Sequence, residues 1–179
     1  MIRHDMLYDG QKVQWRGHGL FRATSGARAL QNASDQCDPE GGPLPEGTYY
    51  LVLKVDPEPA KADPNCNPIP SWYLQIIPRG VDAGKCEFSW TSWGHNRIRL
   101  TPANSATEHA CTPQRDGFYL HDSTKGFSHG CIEVESKFFD ELRRLITMAR
   151  NSRSVRVNRL YLLVKYLPLR STNGGTFQG

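Results

Sequence analysis

The sequence predicts a mainly β fold, an antiparallel sandwich or barrel-like sheet with one substantial helix. The 179 residues include 12 prolines and 16 glycines, which interrupt helices and favour the turns between short strands. A single stretch, about 136–150, repeats apolar residues at helical spacing. The length suits one domain with its own core, residues 1–170, followed by a polar tail at 171–179 that we expect to be flexible.

Short runs that alternate or are rich in β-branched and aromatic residues predict the strands. Asp9-Gly10 lies between two such runs, 6–8 and 11–15. Because both residues tolerate positive φ, the pair indicates a two-residue hairpin turn. The other predicted strands are residues 17–26, 47–55, 72–78, 86–93, 96–102, 117–121 and 155–166.

The predicted helix begins after Ser136, a residue type that suits the N-cap. Phe138, Leu142, Leu145 and Ala149 form one apolar stripe along it. We interpret this stripe as a core-facing surface rather than a binding site.

Residues 56–71 contain five prolines in sixteen residues, which excludes a helix or an inner strand. Loops of this length in a compact domain are often functional. Two interpretations stay open: a lid or cap beside a cleft, and a surface insertion that only packs.

Charge and hydropathy exclude several classes of function. The net charge of +4 suits an anionic partner such as a bacterial wall. No arginine stripe is interleaved with exposed aromatics, so we expect no nucleic-acid partner. No run approaches the roughly 20 apolar residues of a membrane span, and the N-terminus lacks the apolar stretch of a secretory signal.

The five cysteines divide into a set of four and one remaining residue. Four lie in loop-like surroundings, as disulfide partners do: Cys37, Cys66, Cys86 and Cys111. The fifth, Cys131, is the odd thiol and therefore a candidate reactive group. This division predicts an oxidising compartment. The alternative is five free thiols in a reducing cytosol.

The stretch FYLHDSTKGFSHGCIEV, residues 118–134, carries the candidate chemistry. A thiol titrating near ~8.5 needs a base to become a nucleophile, and His121 and His129 both lie close to Cys131 in sequence. Gly130 permits a tight turn that lets a substrate approach, and neighbouring amides can form an oxyanion hole. A zinc site is the alternative, with ligands drawn from His109, Cys111, His121, His129 and Cys131, although their spacing fits no closed structural site.

Chain order separates this stretch from some cysteine peptidases. Papain-like and NlpC/P60-type enzymes place cysteine before histidine, whereas His121 precedes Cys131 here. The stretch instead resembles the signature of YkuD-type L,D-transpeptidases, in which a histidine and a spacer precede Ser/Thr-His-Gly-Cys. GGPLPEGTYYL (41–51), RIRLTP (97–102) and GHGLFRATSG (17–26) are similar to the compact branch found in type VI secretion effectors. The resemblance covers roughly residues 5–165.

The resemblance implies a role for each matching residue. Cys131 is the nucleophile that attacks a diaminopimelate–D-alanine bond in a tetrapeptide stem, and His121 is its general base. Asp122 orients the imidazole, in the family through its backbone carbonyl. His129 assists on the oxyanion side, with the amides of Gly130 and Cys131 and with Ser128 in the same loop. The thioacyl enzyme is resolved by water or by a D-amino acid, and neither a metal nor a cofactor is needed.

One departure narrows the expected activity. Six residues separate His121 from Ser128, fewer than in the larger enzymes of the family. A short spacer leaves less room for a second stem, which favours carboxypeptidase or exchange activity over cross-linking. The resemblance also implies export without a signal peptide by a type VI delivery component, action in the periplasm of target bacteria, and an immunity protein there.

Further residues are assigned as expectations. Arg97, Arg99 and Arg115 are candidates for binding stem carboxylates. We expect disulfides Cys37–Cys66 and Cys86–Cys111, with the two other pairings open. Two alternative functions remain: a housekeeping enzyme that cross-links the wall, and a non-enzymatic, disulfide-stapled wall-binding module.

Overall fold

The computed structural model describes residues 3–152 and 158–179. Within them, ten strands form one mixed sheet that curls into an open half-barrel. The strands are β1 (Met6–Tyr8), β2 (Lys12–Trp15), β3 (Gly19–Ser25), β4 (Gly47–Val52), β5 (Gln75–Ile76), β6 (Asn96–Arg99), β7 (Thr101–Pro102), β8 (Tyr119–His121), β9 (Ile132–Val134) and β10 (Arg159–Val164). Their spatial order is β5-β6-β8-β9-β3-β2-β1-β10-β4-β7. The mainly β, barrel-like prediction is confirmed.

The sheet is not wholly antiparallel. β1 pairs with β10, and β8 pairs with β9, in the parallel direction. The predicted β1–β2 hairpin is present, but Tyr8 pairs with Val13, so its turn is longer than two residues. Asp9 Oδ1 closes this turn by accepting hydrogen bonds from the backbone N–H groups of Gln11 and Lys12, at 2.9 and 3.0 Å.

Three α-helices accompany the sheet in the part of the chain that the structure describes: α1 (Glu87–Trp90), α2 (Ser105–Glu108) and α3 (Lys137–Asn151). Helix α3 confirms the predicted helix, and its buried stripe packs on the sheet. The Phe138 ring lies 5.3 Å from Trp15 and 5.4 Å from Phe21, between ring centroids. None of the described helices combines the length and the apolar character needed to cross a bilayer.

The predicted late strand, 155–166, corresponds to β10, while residues 153–157 lie outside the described residues. β10 lies between β1 and β4. Its buried side chains Leu160, Leu162 and Val164 alternate with less buried ones. This alternation is that of a strand with one face in the core.

The predicted strand at 86–93 is wrong, because this segment is helical. Short 3₁₀ turns flank α1 on both sides. Cys86 and Trp90, four residues apart, share one helical face and are buried with Ala60 and Ile77 in a small second core. Tertiary packing against this small core outweighs the strand propensity of the aromatic residues.

The proline-rich segment, residues 56–71, packs along one side of the sheet. Ala60 is buried in the second core, and Ile69 and Ser71 bond to residues of β6 and β8. The Ile69 carbonyl accepts a hydrogen bond from Arg97 at 2.6 Å, and the Ser71 N–H donates to the Tyr119 hydroxyl at 3.2 Å. Whether the segment acts as a lid stays a prediction.

Part of the C-terminal segment, residues 171–179, is buried against β3, although its composition predicted a flexible tail. Thr172 and Thr176 are buried, and the Thr172 carbonyl accepts a hydrogen bond from Ser25 N–H at 2.9 Å. A Cβ on Gly174 would lie 2.1 Å from the Gln11 carbonyl oxygen, so only glycine fits there. The hydroxyls and small residues that resemble a disordered tail instead satisfy polar groups of β3.

The expected disulfide pairing is also wrong. The bonds are Cys37–Cys111 and Cys66–Cys86, not Cys37–Cys66 and Cys86–Cys111. The cause is the packing just described, which brings the proline-rich segment and Cys66 onto the helical segment that carries Cys86. The division of the cysteines is confirmed, because these four are oxidised and Cys131 is a free thiol.

Candidate active site

The candidate site lies on the face of the sheet opposite the core, where β6, β8 and β9 run side by side. Leu120 pairs with Ile132 and both are buried in the core. The neighbouring residues alternate to the other face, and there His121 pairs with Glu133. His121 ends one strand and Cys131 directly precedes the next, as the sequence predicted.

His121 and Cys131 are diagonal neighbours on this face. Continuing the β8–β9 register by one residue sets Cys131 opposite Tyr119, and a hydrogen bond between the thiol and the Tyr119 backbone agrees with this. Diagonal neighbours lie about 7–8 Å apart between Cα atoms, a distance that an imidazole ring can span. The register therefore places the free thiol and the imidazole on the same face of two neighbouring strands.

The Cys131 backbone is fixed by two serine hydroxyls. Its carbonyl accepts a hydrogen bond from Ser25 Oγ at 2.8 Å and another from Ser128 Oγ. Gly130 has φ +112°, and a Cβ there would lie 2.6 Å from Arg115 Nη2. A glycine is therefore required directly before the thiol. Together, the two serine bonds and this glycine conformation hold Cys131 in a fixed position just before β9.

The His121 imidazole is buried, with only 3% of its surface exposed. Burial, and secondarily the charge of Lys125, lower its pKa from 6.5 to about 3, against the opposing effect of a hydrogen bond to the Trp93 backbone. The imidazole is consequently neutral at physiological pH. A neutral ring can accept a proton, which is what a general base must do.

The Cys131 thiol has a raised pKa. Burial is the main cause, while the hydrogen bond to the Tyr119 backbone and the charges of Lys125, Arg97 and Arg115 act in the opposite direction. In the resting state, therefore, both the Cys131 thiol and the His121 imidazole are neutral. Ionisation of the thiol requires proton transfer rather than a preformed ion pair.

Sequence reasoning missed two polar residues beside His121. Ser123 Oγ lies 3.1 Å from His121 Nδ1 and donates a hydrogen bond to Glu133 Oε2. The Glu133 carboxylate is fully buried. The available signal was the acidic residue in the apolar run Ile132-Glu133-Val134, because a charge within a buried strand is rare unless it has partners.

Asp122 and His129 both make contacts outside the His121–Cys131 pair, and the roles that the resemblance implies for them stay predictions. The Asp122 carboxylate accepts hydrogen bonds from the backbone N–H groups of His95 and Asn96, at 2.6 and 2.8 Å, and from the Asn96 side chain. It therefore holds the start of β6. His129 is exposed, with Nδ1 3.2 Å from the Glu40 carbonyl oxygen.

Ser128 is engaged in shaping the same loop. Besides bonding the Cys131 carbonyl, its hydroxyl accepts from Gly26 N–H at 3.2 Å, and its own N–H donates to the Gly26 carbonyl at 3.0 Å. These bonds join the connection between β8 and β9, residues 122–131 (the thiol loop), to the end of β3. Ser128 thus supports the loop, and the Gly130 and Cys131 amides remain the candidate oxyanion donors.

Arg115 connects the thiol loop to residues 36–43, and it contacts the thiol loop through the His129 carbonyl at 3.5 Å. Its guanidinium donates to the backbone carbonyls of Gln36, Pro43 and Gly42, at 2.6, 2.8 and 2.9 Å. Burial lowers its pKa. With these donors committed to carbonyls, Arg115 is placed to hold the loops together rather than to grip a carboxylate bidentately.

Arg97 and Arg99 both lie among aromatic rings. Arg97 is 1% exposed and donates to Gln75 Oε1 at 2.8 Å, besides its bond to the Ile69 carbonyl. Arg99 lies over the Trp72 ring, 5.0 Å from the centroid, and retains partial exposure. Of the three arginines expected to bind substrate, Arg97 is buried, whereas Arg99 and Arg115 are partly exposed.

The zinc alternative loses one of its ligands, because Cys111 is bonded to Cys37. Within the described residues, no three His, Cys, Asp or Glu side chains are grouped so that they could hold a metal ion.

A family model described as the Tlde1 domain matches residues 19–159. The match includes the thiol loop, His121, both disulfides and helix α3. A search of the curated proteins found no match.

Proposed function

Because the chain belongs to the Tlde1 domain family, an enzymatic family of type VI secretion effectors, we propose that it is a cysteine enzyme that acts on peptidoglycan stems. The observation that carries the proposal is a free Cys131 thiol on the same sheet face as the buried, neutral His121 imidazole, one strand away. The proposed bond is the one between diaminopimelate and D-alanine in a tetrapeptide stem, at the carbonyl of the L-centre.

The first half of the reaction forms a thioester. His121 takes the thiol proton as Cys131 Sγ bonds to the carbonyl carbon, and negative charge develops on the carbonyl oxygen. The Gly130 and Cys131 amides would stabilise this oxyanion. When the tetrahedral species collapses, the C–N bond breaks and the imidazolium returns its proton to the departing D-alanine amine.

The second half regenerates the enzyme. Water loses a proton to His121 and attacks the thioester, which releases a tripeptide stem and the thiol. A D-amino acid can attack instead through its amine, which gives an exchanged stem. The short connection between His121 and Cys131 favours these small acceptors over a second stem peptide.

The decisive assay uses the purified, oxidised protein and a disaccharide tetrapeptide, with products read by mass. We expect loss of one D-alanine, and exchange when another D-amino acid is present. Cys131→Ala should abolish both, and His121→Ala should lower the rate at least about 10²-fold. An unchanged stem with the wild-type protein contradicts the proposal.

We place the action in the periplasm of a target bacterium, with a delivery component and an immunity partner as effector families require. Expression of the chain with an added periplasmic signal should lyse or deform a susceptible cell, and Cys131→Ala should not. A housekeeping cross-linker would release D-alanine without this toxicity. A wall-binding module would keep its function after alkylation of Cys131.

A further inference from the structure

Glu133 is a buried carboxylate that the reaction above does not use. It is 0% exposed, and four donors surround its two oxygens. Lys125 N–H and the Ser123 hydroxyl donate to Oε2, the former at 3.0 Å, while Gly126 N–H donates to Oε1 at 2.8 Å and the Thr176 hydroxyl lies 2.5 Å from Oε1. A carboxylate that is removed from water requires such hydrogen-bond partners.

The Ser123 hydroxyl connects this carboxylate to His121. A serine hydroxyl has one proton, and Glu133 is marked as an acceptor by the two backbone N–H groups that point at it. The Ser123 proton therefore goes to Glu133, and Ser123 Oγ accepts from Nδ1–H of His121. With Nδ1–H directed at Ser123, Nε2 is the nitrogen left to take a proton, and the hydrogen bond to the Trp93 backbone, which raises the His121 pKa, then favours the protonated ring.

We propose that Glu133, acting through Ser123, is a positioning residue that fixes the His121 tautomer and stabilises the imidazolium formed during the reaction. The inference rests on the proposed function and deepens it. It assigns the third member of the catalytic group to a glutamate reached through a hydroxyl, where Asp122 had been expected. The logic is that of a carboxylate orienting a histidine base.

The C-terminal segment completes this arrangement. Thr176 contacts both Glu133 and the Thr24 hydroxyl, the latter at 2.8 Å, so residues far apart in sequence converge on one carboxylate. Lys125, whose ammonium interacts with both Glu133 and Cys131, is the cation that borders the network. Arg97 and Arg115 are the other charges that act on the thiol.

Ser123→Ala is the principal test, because it interrupts the connection and leaves Glu133 with its three other donors. We expect kcat for D-alanine release to fall about 10²–10³-fold with KM nearly unchanged. Ser123→Thr, which keeps the hydroxyl, should restore most of the rate. Glu133→Gln should act in the same direction. Glu135→Gln, two residues further along and paired with Arg22 at the surface, is the matched control and should keep the wild-type rate.

A second readout needs no peptidoglycan and therefore separates this inference from the proposed function. Iodoacetamide alkylates Cys131 with loss of iodide, and the thiol proton passes to His121. At pH 7 we expect Ser123→Ala to react about tenfold more slowly than wild type. The two rates should converge at high pH, where the thiol ionises without a base.

The outcomes are distinct. If wild-type protein releases no D-alanine but the alkylation difference appears, the proposed function fails and the positioning role stands. If Ser123→Ala keeps both the wild-type kcat and the wild-type pH profile of alkylation, and only its melting temperature changes, Glu133 and Ser123 are structural and the inference is overturned.

Discussion

Acid should destabilise this protein through His121, and the size of the effect follows from the burial of one ring. Its pKa is about 3 in the folded chain and 6.5 as the ordinary value. Below pH 6.5 the unfolded chain binds a proton at this position, but the folded chain does not. Stability is therefore complete above pH 6.5 and falls as the pH drops towards 3.

The magnitude is about 1.4 kcal/mol for each pH unit within that window. Between pH 6.5 and 5 the loss is about 2 kcal/mol, and by pH 3 it approaches 5 kcal/mol. Carboxylates with lowered pKa values, such as Glu141 at about 2, add their own losses at lower pH. The interval from pH 6.5 to 5 therefore lies above the range in which Glu141 loses its charge, and comparison with a variant at position 121 isolates the contribution of His121.

The measurement is the free energy of unfolding from urea titrations at pH 7, 6 and 5, for wild type and His121→Asn. Asparagine cannot titrate, and its amide can keep a hydrogen bond to Ser123. We expect the wild type to lose about 2 kcal/mol more than the variant over this range. Parallel pH dependence in the two proteins would refute the assignment of a neutral, buried imidazole.

Four further predictions concern the supports of the site, the disulfides and the C-terminal segment. Arg115→Ala leaves buried carbonyls without a donor and should cost about 1–3 kcal/mol in denaturant unfolding; Arg115→Lys should not restore the wild-type value, because an ammonium cannot reach all three carbonyls. Gly130→Ala places a Cβ 2.6 Å from Arg115 Nη2 and should abolish activity, and wild-type turnover in that variant would show that the loop adapts freely. A thiol count on the native, oxidised protein should give one reactive group, lost in Cys131→Ala; five would contradict the disulfides. Gly174→Ala, with its Cβ 2.1 Å from the Gln11 carbonyl oxygen, should lower the melting temperature by several degrees, and an unchanged value would mean that the C-terminal segment is not held in place.

The elements that the sequence predicted correctly are those with a local signal. Helix α3 follows from an apolar stripe within 136–150, and the β1–β2 hairpin follows from Asp9-Gly10. The thiol loop was recognisable because Gly130 and Cys131 are adjacent in sequence. In each case the residues that define the feature lie within a single helix, hairpin or loop.

The features that were missed depend on contacts between distant segments. Residues 86–93 form a helix because Cys86 and Trp90 meet Ala60 and Ile77, which no local pattern reveals. The supporting role of Arg115 was missed because three of its carbonyl partners, more than seventy residues away, are not visible in the sequence. The burial of a polar side chain is equally hard to predict from sequence. A hydroxyl such as that of Thr176 is expected to be solvent-exposed until its buried partner is known.

The two disulfides make the stability of this protein depend on whether its surroundings are reducing or oxidising. They close loops with sequence separations of 74 and 20 residues, and closing such loops contributes about 4 and about 3 kcal/mol. That sum is comparable with the whole stability of an ordinary domain. In a reducing environment the chain would lack both bridges and would be correspondingly easier to unfold. Oxidation then stabilises the same fold, so the reduced and the oxidised protein differ in stability as well as in the state of four cysteines.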